Sequence, residues 1–141
     1  MSRRGFTLLE TLVVLAILGI VLSASYVLLR PMLERSRLDN ATTQVATDLL
    51  RVRSYAQRSN RVASWTRLDD RRYRLDLGGK AYEYALPEGV TFAAPPAGTV
   101  LRYHPPYGEF DASAETITLQ DARGNGESIH VVGVTGKVIR P

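Results

Sequence analysis

The sequence predicts an α+β chain: a long N-terminal α-helix, one half apolar and the other amphipathic, packed on a small antiparallel β-sheet head. Three observations carry this expectation. Residues 11–29 contain no charged side chain. The following stretch, from Leu38 to Ala56, places apolar residues on one helical stripe. Beyond Arg61 the hydrophobic period drops from 3.6 to 2, the change from helix to strand.

With 141 residues the chain has room for one globular domain. Apolar residues make up 45% and charged residues 23%, which excludes a disordered polyelectrolyte. The absence of cysteine removes disulfide scaffolds, thiolate zinc sites and a cysteine nucleophile. The two histidines, His104 and His130, are too far apart for a ligating HxxxH pair. A net charge of +4 is too mild to identify a partner.

The run from Thr11 to Leu29 is nineteen residues long. As a helix it extends about 28 Å, enough to cross the hydrocarbon core of a bilayer. Gly19, Ser23 and Ser25 are small or weakly polar residues that membrane helices tolerate. A cleaved secretory signal fits poorly, because the run exceeds a usual apolar region and ends without a small-x-small cleavage site. Arg3 and Arg4 precede the span while Arg30, Arg35 and Arg37 follow it, so charge counting leaves its orientation open.

Glu10 is the most unusual residue of this segment. A carboxylate at mid-membrane costs about 2.5–3.5 kcal/mol, less near the interface. Either it sits in the headgroup region without a role, or it needs a cationic partner supplied by another chain.

Pro31 marks a kink or the emergence of the helix from the membrane. Leu38, Ala41, Val45, Leu49, Val52 and Ala56 then recur at intervals of three and four, and a second half-helix is expected to about Asn60. The whole helix would be about 80 Å long, too long for a compact domain of this size, so it is expected to protrude into lipid or into an assembly.

In the remainder, Tyr73, Leu75 and Leu77 alternate with Arg72, Arg74 and Asp76, and Gly78-Gly79 turns the chain into Ala81–Leu86, a hairpin signal. Short strands are expected at Val90–Ala93 and Thr99–Tyr103, separated by a breaker stretch at Ala94–Gly98. Pro105 opens a loop expected to reach Ser113. Glu115–Gln120 and Ser128–Val134 form a second hairpin around Gly124-Asn125-Gly126, and Lys137–Arg140 reads as an edge strand. Such short strands lack a large core of their own, and the apolar stripe of the helix supplies the missing surface.

Arg3-Arg4-Gly5-Phe6-Thr7-Leu8-Leu9-Glu10, followed by the apolar stretch, closely resembles the class III signal of type IV prepilins and type II secretion pseudopilins. The run Leu86-Pro87-Glu88-Gly89-Val90, with Tyr107-Gly108, Thr116–Leu119, Ile129–Val132 and Thr135–Val138, resembles the GspH/FimT group of minor pilins and pseudopilins.

The resemblance implies a type IV pilin-like fold and cleavage by a prepilin peptidase between Gly5 and Phe6, followed by N-methylation of Phe6. It implies that Glu10 pairs with the N-terminal ammonium of a neighbouring subunit. It divides the chain into a leader (1–5), a transmembrane and filament-core helix (6–30), the amphipathic half of the helix (31–61) and a β-rich head (62–141). The partners implied are other pilin or pseudopilin subunits, the peptidase and inner-membrane lipid before assembly, with the head on the periplasmic or extracellular side. The function implied is a structural subunit that initiates or caps a type IV pilus or type II secretion pseudopilus, with no enzymatic activity and no cofactor.

Catalytic motifs are missing: there is no GxSxG, no Walker glycine loop and no HExxH. Asp69-Asp70 reads as a pair of turn formers, and His130 as a strand residue. Glu109, Asp111 and Glu115 offer hard oxygens in one loop but lack EF-hand spacing, so no metal is expected.

The alternative function is DNA capture by a minor pilin of a DNA-uptake pilus. Residues 62–141 carry nine basic and ten acidic side chains, so any DNA site must be a local patch. One candidate is Arg67, Arg71, Arg72 and Arg74, near Trp65 and Tyr73; the other is the tail, Lys137 and Arg140. Some FimT-like pilins bind DNA through a glycine–arginine–x–arginine tail. Here the run is Gly136-Lys137-Val138-Ile139-Arg140, with lysine first and the second cation one place late. In a strand that moves it to the other face.

Overall fold

The computed structural model describes residues 7–140. The elements are one helix, α1 (Leu8–Ser59), and eight strands: β1 (Ala63–Arg67), β2 (Arg72–Leu77), β3 (Lys80–Ala85), β4 (Val90–Ala94), β5 (Val100–His104), β6 (Glu109–Asp121), β7 (Gly126–Val134) and β8 (Lys137–Ile139). The chain divides into two units, Met1–Glu34 and Arg35–Pro141.

In the first unit α1 is apolar and its large side chains are exposed, Leu8 at 84% and Ile20 at 71%. A helix of this length and composition can cross a membrane. The Ser23 and Ser25 hydroxyls donate to the carbonyls of Gly19 and Val21, each at 2.8 Å, so neither brings an unpaired polar group into the apolar run. Pro31 lies inside α1 rather than at its end. Arg30 and Glu34 form an i,i+4 ion pair at 3.3 Å.

In the second unit the amphipathic part of α1 covers an antiparallel sheet. All six stripe residues, Leu38, Ala41, Val45, Leu49, Val52 and Ala56, are buried. The helix ends at Ser59, and Asn60 takes the left-handed conformation that stops it (φ 52°). The strand order is β3-β2-β1-β5-β6-β7-β8, with β4 paired to β6. The period-2 alternation sets the inner face: Tyr73, Leu75 and Leu77 of β2 face α1, with Trp65, Leu101, Ile117, Leu119 and Ile129 completing the core. The β2–β3 turn has Gly78 and Gly79 at positive φ, and a Cβ on Gly78 would stand 2.5 Å from the Tyr55 hydroxyl.

One strand goes without a sequence expectation, and one expectation needs correction. β1 reads weakly because only Trp65 among its inward residues is large and apolar; Ala63 is small and Arg67 is charged. It nonetheless lies inside the sheet, pairing Trp65 with Leu75 and with Leu101. The loop expected to reach Ser113 stops at Gly108, and β6 already starts at Glu109. The cause is Phe110, whose buried ring packs on Tyr103 at 5.6 Å and draws the segment into register with β5.

Inside the core, the Tyr73 hydroxyl donates to Asp48 Oδ2 at 2.6 Å and accepts from Gln44 Nε2 at 3.3 Å, tying β2 to α1. Burial, then the bond to Asp48, raises the Tyr73 phenol well above its ordinary range. Burial does the same to Tyr103. Both phenols are thus held protonated by folding, and their contribution is complete below the unfolded value, about pH 10, and lost as pH rises beyond it. Tyr73→Phe leaves the buried Asp48 carboxylate without this donor and should cost about 1–3 kcal/mol. Urea unfolding followed by Trp65 fluorescence checks both statements. The midpoint should fall above about pH 10, less steeply in Tyr73→Phe; a flat wild-type profile into strong alkali contradicts the assignment.

Candidate functional site

The N-terminal site is built on the first turn of α1. The Glu10 amide donates to Thr7 Oγ1 at 3.3 Å and the Thr11 amide to the Thr7 carbonyl at 3.2 Å, so Thr7 caps the helix. Thr7-Leu8-Leu9-Glu10 also has the Thr-x-x-Glu spacing of a capping box, a local signal that charge and hydropathy alone do not carry. The Glu10 carboxylate has no hydrogen bond or ion pair among the described residues. Gly5 and Phe6, the expected cleavage pair, lie outside the described residues.

The candidate DNA contacts separate. Arg67 is buried, 5% exposed, and donates to Asp70 Oδ1 at 2.8 Å, to the Asp69 carbonyl at 3.1 Å and to the Pro95 carbonyl. It faces inward on β1 and is withdrawn from any surface patch. Arg72 pairs with Asp69 at 2.6 Å. Asp69 also accepts the Arg71 and Arg72 amides, each at 2.8 Å, which makes it the turn former expected of it. The Arg71 amide first, then the Arg72 side chain, hold the Asp69 carboxyl below its usual range. Arg71 is exposed and Arg74 half-buried, opposite Glu83 in register.

In the tail, Lys137 is exposed, but Arg140 is held by Asp39, by Thr43 and by Glu127 at 2.8 Å. The bond to Asp39 is the main cause of a raised Arg140 pKa. The tail arginine is therefore a clasp onto α1 and β7 rather than a free charge. Asp111 lies 3.6 Å from His104 and 3.8 Å from Arg102. Among the described residues, no three His, Cys, Asp or Glu side chains gather into a metal-holding group.

Comparison with known proteins agrees with this geometry. Residues 1–26 match the prokaryotic N-terminal methylation motif. Pilin-like protein PilA1 of Thermus thermophilus is 48% identical over 60 residues, a stretch that covers 43% of this chain and only 37% of that protein. Two crystal forms of the type IV minor pilin FimU of Pseudomonas aeruginosa share the fold. One has a TM-score of 0.63 at 17% identity, over 79% of this chain and 92% of FimU. The other has a TM-score of 0.61 at 16% identity, over 74% and 92%. The fold is that of type IV minor pilins. Its N-terminus matches the methylation motif, and a 60-residue stretch of it is similar to a pilin-like protein.

Proposed function

We propose that this chain is a minor pilin or pseudopilin, a structural subunit that initiates or caps a type IV pilus or type II secretion pseudopilus. A prepilin peptidase cuts between Gly5 and Phe6, and Phe6 is then N-methylated. Before assembly the apolar part of α1 anchors the chain in the inner membrane, with the head on the periplasmic or extracellular side. In the filament the same surface packs against other subunits.

The observation that carries this reading is Glu10, a carboxylate with no partner among the described residues, in the first turn of an exposed apolar helix. A neighbour's N-terminal ammonium meets it in a low-dielectric environment, where a paired charge is tolerable. Scaffolding is preferred over DNA capture because Arg67 is buried and Arg140 is engaged by two carboxylates.

Gly5→Asp tests the processing step. Glycine lets an enzyme approach the backbone closely, and the substitution adds both a side chain and a charge at the cut. The expected product keeps its leader on an immunoblot and by intact mass; a mature-sized, methylated product overturns the reading.

A further inference from the structure

Four cations of the second unit stand apart from the ion pairs described above. Arg51, Arg58, Arg61 and Lys80 line one groove of about 380 Å³ together with Tyr55 and Tyr82. Arg51 donates to the Tyr84 hydroxyl at 3.2 Å, with its guanidinium 5.8 Å above the Tyr82 ring, and Arg58 donates to the Ser54 carbonyl at 3.2 Å. None of the four has a carboxylate partner among the described residues, and no carboxylate lines the groove.

The register explains this segregation. Lys80 pairs with Leu77 and Tyr82 with Leu75, so both share the face of β2 that turns toward α1. Asp76 and Glu83 occupy the alternate positions and belong to the opposite face. β3 is also the end of the sheet, pairing only with β2. One row of its backbone donors and acceptors is left without a strand partner.

We infer that this groove docks an extended acidic segment of another polypeptide, which pairs with the free edge of β3 and directs its carboxylates at Arg51, Arg58, Arg61 and Lys80. A polypeptide is favoured over a nucleic acid because only a peptide backbone complements a strand edge. The groove is built from residues 51–82, so this inference is independent of the cleavage and pairing assigned to residues 5–10.

The test uses the full-length chain in neutral-detergent micelles and a fluorescein-labelled peptide of about ten residues alternating Glu and Thr, which puts every carboxylate on one face of a strand. Anisotropy at about 50 mM salt should show saturable binding that weakens as salt rises. Arg58→Glu/Lys80→Glu should weaken it by roughly tenfold or more, and the milder Arg58→Gln/Lys80→Gln by a smaller factor with circular dichroism unchanged. The same peptide N-methylated at alternate residues should bind roughly tenfold more weakly, because it cannot donate to the β3 edge. Absent binding, equal binding by the variants, or equal binding by the N-methylated peptide overturns the inference. So does tighter binding of an oligothymidylate of equal charge that the same substitutions abolish, which would assign the groove to nucleic acid.

Discussion

Glu10→Ala and Glu10→Val should leave the protein inserted in the membrane and absent from the assembled filament. Removing a carboxylate from an apolar helix eases insertion, by up to about 2.5–3.5 kcal/mol at mid-membrane and less near the interface. Insertion is therefore not the step that suffers. On the proposed pairing, the same change in the filament would leave a neighbour's ammonium buried without its partner. Breaking a buried pair costs about 3–5 kcal/mol, roughly two to three orders of magnitude in recruitment. Membrane fractionation and quantitative immunoblotting of sheared filaments read the two steps separately. Normal incorporation of either variant would remove the pairing from the assembly scheme. The Thr7 cap makes the result specific, since Thr7→Ala removes a helix cap worth about 1 kcal/mol while keeping the carboxylate; it should reduce assembly far less.

Trp65→Ala should destabilise the head by about 3–5 kcal/mol, the usual cost of emptying a large aromatic site. Trp65 is fully buried on an interior strand, stacked on Tyr73 at 5.8 Å and edge-on to Phe92 at 5.7 Å. A domain of this size has only about 5–15 kcal/mol to lose. The melting temperature should drop by more than about 12 °C, or the head should fail to fold. Trp65→Phe keeps much of the ring and removes an indole N–H that has no hydrogen-bond partner among the described residues, so its cost should be smaller. Thermal melts by far-ultraviolet circular dichroism compare the two. A Trp65→Ala melt close to wild type would mean that the α1–sheet core does not depend on this ring.

The parts of the fold legible in the sequence are those with a local period. The buried stripe from Leu38 to Ala56 follows helical spacing, and β2 follows strict alternation, so each specifies its own buried face. The Gly78-Gly79 turn is legible because two consecutive left-handed positions favour glycine. β1 is obscured because its inward positions are Ala63, Trp65 and Arg67, and the start of β6 because it depends on Phe110 meeting Tyr103.

The sequence by itself determined the apolar N-terminal run, the unusual place of Glu10 within it and the helix-then-strand order, since each is written in neighbouring residues. Only the tertiary structure decided what each charge does. Arg140 reaches Asp39, a hundred and one residues away in the chain, and Arg67 turns inward to carbonyls that a loop brings to it. Arg51 and Lys80, inconspicuous in sequence, come together on one groove. A charge is defined by what faces it, and in this chain those partners are set by sheet order and helix packing rather than by spacing along the sequence.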